Sequence, residues 1–159
     1  MEPRINVVDK GQGAIKAMYP LGAYLAKSSI EQPLLDLLEF RVSQINGCAY
    51  CLDMHSKDLR AIGETEQRLY LLNAWREAPF YSDRERAALA WAEAVTMLEG
   101  GQVPDDVYHQ ARDQFGEEEL IDLTLAVATI NSWNRLNIAF RNTAGSYQTT
   151  RRAVQTQEA

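Results

Sequence analysis

The chain has little of the residue types that carry covalent and metal chemistry. Its 159 residues include two cysteines and two histidines. Two cysteines cannot build a disulfide framework for a chain of this length. With no second Cys-x-x-Cys, the four ligands of a structural zinc site are hard to assemble. No apolar run approaches the ~18 residues needed to cross a bilayer, so no membrane association is expected. The N-terminal MEPRINVVDKGQG lacks the basic-then-apolar pattern of a secretory signal. No repeat of about 20–50 residues and no low-complexity tract is present. Basic residues are outnumbered 16 to 22, for a net charge of −6 and a pI near 4.9. Such a surface repels phosphate backbones and argues against nucleic acid as a partner. These absences point to a cytoplasmic protein, where thiols are kept reduced.

What is present is helical patterning. Hydrophobic residues make up 46% and charged ones 24%, enough for one globular domain with a sizeable core. An apolar stretch, AIKAMYPLGAYLAKS, has helical spacing, with Pro20 expected to kink or break it. A second helix spans about Glu31 to Ile45, with Ser29 as a candidate cap and Pro33 near its first turn. It is apolar on most sides, so it should be buried on most sides. Asn46–Gly47 ends it, and the cysteines open a third helix that stops at Gly63. A fourth is expected from Thr65–Glu66 to Trp75. Ser82 and Glu85 form a capping box for a long helix from about Asp83 to Glu99. A short helix follows Pro104, and a last long one runs from Glu117 to about Phe140. No segment shows strand alternation with hairpin turns. The expected fold class is all-α, with a single domain over residues 1–144. The polar tail, 145–159, is expected to be frayed or held by a partner subunit.

The chemistry is concentrated in one stretch, INGCAYCLDMHSKDLRAIGE, which contains Cys48, Cys51 and His55. At roughly 100° per residue, Cys51 falls about 60° behind Cys48 and His55 about 40° ahead of Cys51, so all three share one helical stripe. Free backbone N–H groups at a helix start favour a thiolate, and an imidazole one turn away can take its proton. Such a nucleophile–base pair suits thiol catalysis, with the second thiol able to capture an oxidised first one. Three ligands of a zinc site, or two core cysteines and a core histidine, remain as other readings of the same residues. The preceding helix offers Asp36, Glu39 and Ser43 for a proton relay; a carboxylate on an apolar helix needs a partner or a task. Tyr50, Trp75 and Trp133 are candidates for lining a substrate pocket, though each alone is more often an ordinary core aromatic. Asn131, Asn134, Arg135 and Asn137 interrupt the last helix, either as a solvated face or across a subunit contact.

The phrase RVSQINGCAYCLDMHSKDLRAIGE resembles the alkyl hydroperoxidase D-like branch of the carboxymuconolactone decarboxylase superfamily. The likeness is strongest from Leu34 to Gly63 and extends more weakly through SDRERAALAWAEAVT and INSWNRLNIAFR. It implies an all-helical fold whose CxxC opens a buried helix at a subunit interface, in a dimer, trimer or hexamer. It implies reduction of hydroperoxides through Cys48 and Cys51 in antioxidant defence. No cofactor is needed, and electrons come from a lipoyl-protein- or thioredoxin-like dithiol donor. By the same likeness Cys51 is the thiol activated by His55, and Cys48 is its disulfide partner. The family's relay glutamate, twelve positions before the first cysteine, falls on Asp36, with Glu39 a turn later as the substitute. Tyr50 stands where the best-known peroxidase members carry a histidine. Two other functions fit the superfamily or the residues: a decarboxylase-like enzyme, and a redox-sensing dithiol protein with little turnover.

Overall fold

A computed structural model gives the fold of residues 2–151. Among these residues every regular element is helical. The elements are α1 (Val7–Lys10), α2 (Gln12–Leu25), α3 (Gln32–Asn46), α4 (Ala49–Ala61), α5 (Glu66–Leu71), α6 (Asp83–Met97), α7 (Asp105–Gln114) and α8 (Glu117–Phe140). Short 3₁₀ turns follow α5 (Leu72–Ala74) and α6 (Glu99–Gly101).

Helix α3 is the central post, buried on most sides as its apolar sequence predicts. One side, with Leu38 and Val42, packs with Ala88 and Ala92 of α6 and Leu123 and Val127 of α8. The other, with Leu37 and Phe40, packs with Leu59 of α4, Leu72 and Leu89. Each such leucine, removed from water, contributes about 1.5–3 kcal/mol before entropy is counted. A post held from both sides is a rigid base for the residues that project from it.

The α3–α4 corner places the cysteines. Gly47 adopts φ +67° at the end of α3, a left-handed conformation that only glycine takes without strain. Its N–H donates to the Gln44 carbonyl at 3.2 Å, and the Cys48 N–H donates to the Ser43 carbonyl at 3.0 Å. This is a Schellman closure. Cys48 is therefore both the residue that leaves α3 and the N-cap of α4, its sulfur accepting from the Cys51 N–H at 3.4 Å. Thr65 caps α5, and the Ser82–Glu85 capping box opens α6, both as their sequences predict.

Several boundaries differ from expectation. Helix α2 continues through Pro20. The proline forfeits one backbone hydrogen bond, but the helix is held from its side: Tyr24 donates to Asp122 at 2.9 Å, and Tyr19 packs on Trp133 with centroids 6.0 Å apart. Glu31, not Ser29, is the N-cap of α3. The fourth helix ends at Leu71 and tightens into a 3₁₀ turn before Trp75. Helix α6 stops at Met97, because Leu98 turns left-handed at φ 45°.

The first residues of the tail are held within the chain. Residues 145–151 fold back on α3 and α4 of their own chain. Gly145 N–H donates to Asp53 at 2.9 Å, Lys57 donates to the Tyr147 carbonyl at 2.9 Å, and Tyr147 hydroxyl donates to Asp58 at 2.9 Å. Arg151 closes the segment with an ion pair to Asp36. Acceptors buried on α3 and α4 give a polar segment something to bind, which a count of its apolar residues does not reveal. The remainder of the tail, 152–159, lies outside the described residues.

Candidate functional site

Cys48 and Cys51 are joined as a disulfide, with Cα atoms 5.4 Å apart. Both are 1% exposed. They differ in what they face, because Cys51 lines a cavity of about 560 Å³ and Cys48 is packed behind it. His55 and Glu39 line the same cavity, as do Tyr50 and the apolar side chains of Met18, Tyr19, Trp133 and Leu136. The volume is in the range that holds a small organic molecule, and the polar groups gather at one end of an apolar chamber. A more open cleft of about 400 Å³, near Phe40 and Leu52, contains neither cysteine nor histidine.

The Cys51 sulfur accepts a hydrogen bond from Asn137 Nδ2 at 3.2 Å. His55 sits one turn after Cys51 on α4 and is 4% exposed. Its Nδ1 lies 3.6 Å from Glu39 Oε2. Its Nε2 is buried and has no hydrogen-bond partner, which is unusual enough in an interior to call for a chemical reason.

Burial governs the charges here. His55 is pushed down to about 4, chiefly by burial, with Arg151 pushing the same way and Asp58 opposing. Glu39 is pushed up to about 8, first by burial and then by the neighbouring Asp36 carboxylate; Asp58 adds to this and Arg151 opposes it. Near neutral pH the pair is therefore largely an uncharged imidazole beside a protonated carboxyl group, rather than a salt bridge. Asp36 is 1% exposed and also raised by burial, against hydrogen bonds from Arg151 and from Gln32 at 2.9 Å.

The structure thus brings Cys51, His55, Glu39, Tyr50 and Trp133 around one cavity. It does not bring Asp36 to His55, since the carboxylate of Asp36 is taken up by Gln32 and Arg151. Glu39, a turn further along α3, is the acid beside the imidazole. Trp75 is also absent from the cavity. It is buried in the second core cluster and donates Nε1 to Glu93 at 2.9 Å.

The asparagines of α8 bond within the chain. Asn46 donates to Asn131 and Asn134 at 2.9 and 2.8 Å, and Asn134, fully buried, donates to Ser43 at 3.1 Å. They pin the α3 end to α8, and Asn137 continues the row to Cys51. That role was foreshadowed only by a row of amides on an otherwise apolar helix. Arg151, Tyr147 and Asp58 were missed, because nothing local signals that a tail will return to a helix about 90 residues earlier. No three histidine, cysteine or acidic side chains converge as metal ligands among the described residues.

Comparison with known proteins places this geometry in context. The model of the carboxymuconolactone decarboxylase family matches residues 14–94. The chain is 44% identical over 146 residues to the uncharacterized protein YdfG of Bacillus subtilis (strain 168), spanning 92% of this chain and 99% of that one. Among solved structures, ATU0492 of Agrobacterium tumefaciens, a protein of unknown function proposed to be the antioxidant defence protein AhpD, superposes with a TM-score of 0.87. It is 39% identical, over 92% of this chain and all of that one. The debrominase Bmp8 shares the fold at a TM-score of 0.74 and 20% identity, over 87% of this chain and 74% of its own.

Proposed function

The chain belongs to the carboxymuconolactone decarboxylase family, in its alkyl hydroperoxidase D-like branch, and from that premise we propose that it is a thiol peroxidase reducing organic hydroperoxides. The observation that carries this reading is the Cys51 sulfur on the cavity wall, disulfide-bonded to Cys48, with His55 one turn away on the same stripe.

In the reduced protein the Cys51 thiol gives its proton to His55 Nε2, the ring nitrogen with no other partner. In molecules where Glu39 is ionised, the proton on Nδ1 passes to its carboxylate, which leaves a neutral imidazole beside a protonated carboxyl group, the form that the raised proton affinity of Glu39 favours. The Cys51 thiolate attacks one peroxide oxygen and the O–O bond breaks. The alkoxide leaves and takes the proton back through His55 as an alcohol, and Cys51 becomes a sulfenic acid. The Cys48 thiol then attacks the Cys51 sulfur, expelling water and forming the disulfide. A hydroperoxide and two thiols thus become an alcohol, water and a disulfide. A dithiol donor returns the pair to the reduced state by exchange, which oxidises the donor. Asn137 steadies the Cys51 sulfur, while Tyr50, Tyr19 and Trp133 form the wall against which an organic group packs.

Stopped-flow reaction of reduced protein with cumene hydroperoxide tests the reading. Cys51→Ser should abolish peroxide consumption. Cys48→Ser should consume one equivalent and stop as the sulfenic acid. If both variants consume peroxide at the wild-type rate, the reading is wrong.

A further inference from the structure

Two carboxylates and one imidazole, Glu39, Asp58 and His55, line the cavity, and the Asp36 carboxylate is buried behind them. Asp36 and Glu39 come from α3, one turn apart, and His55 and Asp58 from α4, also one turn apart. Asp36, Asp58 and His55 are 1%, 5% and 4% exposed. Carboxylates packed this closely away from water repel one another, and a cluster of this kind holds only if protons or a cation relieve it. Gln32 and Tyr147 supply neutral donors to Asp36 and Asp58. Among the described residues, the one cation bonded to the cluster is Arg151, paired with Asp36 and 3.8 Å from Asp58 through Nε. Arg151 also lines the cavity beside His55.

We propose that Arg151 is a positioning residue of the site, a fixed positive charge delivered by the C-terminal segment that sets where the proton of the Glu39–His55 pair resides. Arg151 touches neither of those two residues through a hydrogen bond. It acts through the field of the cluster, with Asp36 as its anchor. The inference rests on Glu39 and His55 being the relay described above. The other ionisable groups facing the pair in the disulfide form are Tyr50 and Asp58 on α4, Tyr19 on α2 and Tyr147 on the returning segment, and the buried Asp36 on α3 acts on Glu39 through its charge. Asp36 and Asp58 oppose Arg151. Asp36 and Asp58 disfavour loss of a proton from Glu39, and Arg151 favours it. Arg151 likewise disfavours a charged His55, which keeps the imidazole available as an acceptor.

With only two histidines in the chain, the idea can be tested by histidine NMR on the disulfide form, without peroxide. The exposed His109 serves as the internal reference. The wild-type His55 resonance should show its own acid inflection and a second one from Glu39. In Arg151→Gln both inflections should move upward by about one pH unit, as expected for losing a nearby positive charge. His109 should not move, and Arg151→Lys should stay close to wild type. Arg151→Met, which keeps the aliphatic stem, replaces the glutamine variant if that fails to fold. If the neutral variants titrate with the wild type, Arg151 is only a clamp for the tail and the proposal is overturned. Because the readout needs no turnover, a protein that shows the shift but reduces no peroxide would refute the peroxidase reading and leave the electrostatic role standing.

Discussion

Glu93 of α6 and Glu39 of α3 are both glutamates set among apolar helices, but their surroundings are opposite. Glu93 accepts hydrogen bonds from Arg41 at 2.8 Å, Trp75 at 2.9 Å and Arg76 at 2.6 Å. Burial alone would raise its proton affinity, yet these donors together bring it below the usual carboxylate value. Glu39 has no such ring of donors. Its nearest charged-group partner is a neutral imidazole 3.6 Å away, and burial raises it to about 8. A saturated buried carboxylate fixes structure, because nothing is gained by moving its proton. An under-satisfied one that faces a cavity is poised to exchange a proton. The two sites show the same residue type used for structure in one place and, on our reading, for chemistry in the other.

The comparison is broken most forcefully at Glu93. Glu93→Ala leaves Arg41 and the Trp75 Nε1 without their acceptor, and urea denaturation should show a loss of about 3 kcal/mol. The pH dependence of thiol reactivity should not change. Glu39→Gln should do the reverse, keeping at neutral pH the stability that the wild type loses as pH rises above 4.5, and slowing peroxide reduction about 10²-fold. A Glu39 variant with wild-type rates would remove the relay from the account.

The pH dependence of stability separates the two members of the pair. The His55 imidazole titrates near 6.5 when unfolded and near 4 when folded. As pH falls from 6.5 to about 4 the unfolded chain takes up a proton that the folded one refuses, so stability is lost, by ~3 kcal/mol in all. Glu39 behaves oppositely. It titrates near 4.5 unfolded and near 8 folded, so its contribution is present below 4.5 and is lost as pH rises toward about 8. Between about 4.5 and 6.5 the two trends oppose each other, and above 6.5 that of Glu39 acts alone. Thermal melts between about pH 6.5 and 9 should therefore show a decline in the wild type that Glu39→Gln flattens.

The smallest expected effects set the two tryptophans apart. Trp133→Ala removes a wall of the cavity and should raise KM for a bulky hydroperoxide up to about tenfold, since an aromatic contact is worth roughly 0.5–1.5 kcal/mol. Trp75→Phe removes one donor to Glu93, costs about 1 kcal/mol of stability and should leave kinetics unchanged.

Much of this was legible in the sequence, for identifiable reasons. The helices α3, α4 and α8 follow from apolar spacing and from caps that act within a few residues, such as Gly47, Thr65 and the Ser82–Glu85 box. The stripe of Cys48, Cys51 and His55 follows from the period of a single helix. What the sequence left open depended on contacts between distant segments. Whether Asp36 or Glu39 meets His55 depends on how α3 is rotated against α4, an angle fixed by packing across both cores. Trp75 and Trp133 look alike in sequence, and only the fold sends one to Glu93 and the other to the cavity. The return of residues 145–151 depends on acceptors that α3 and α4 present only once folded together. The helix through Pro20 persists for a similar reason, since its side contacts with α8 outweigh one lost backbone bond.

The most direct test of the central claim is a count of free thiols in reduced protein before and after one equivalent of cumene hydroperoxide. The account predicts a fall from two thiols per chain to none, with the Cys48–Cys51 disulfide as the product. Two thiols remaining, with the peroxide intact, would contradict it.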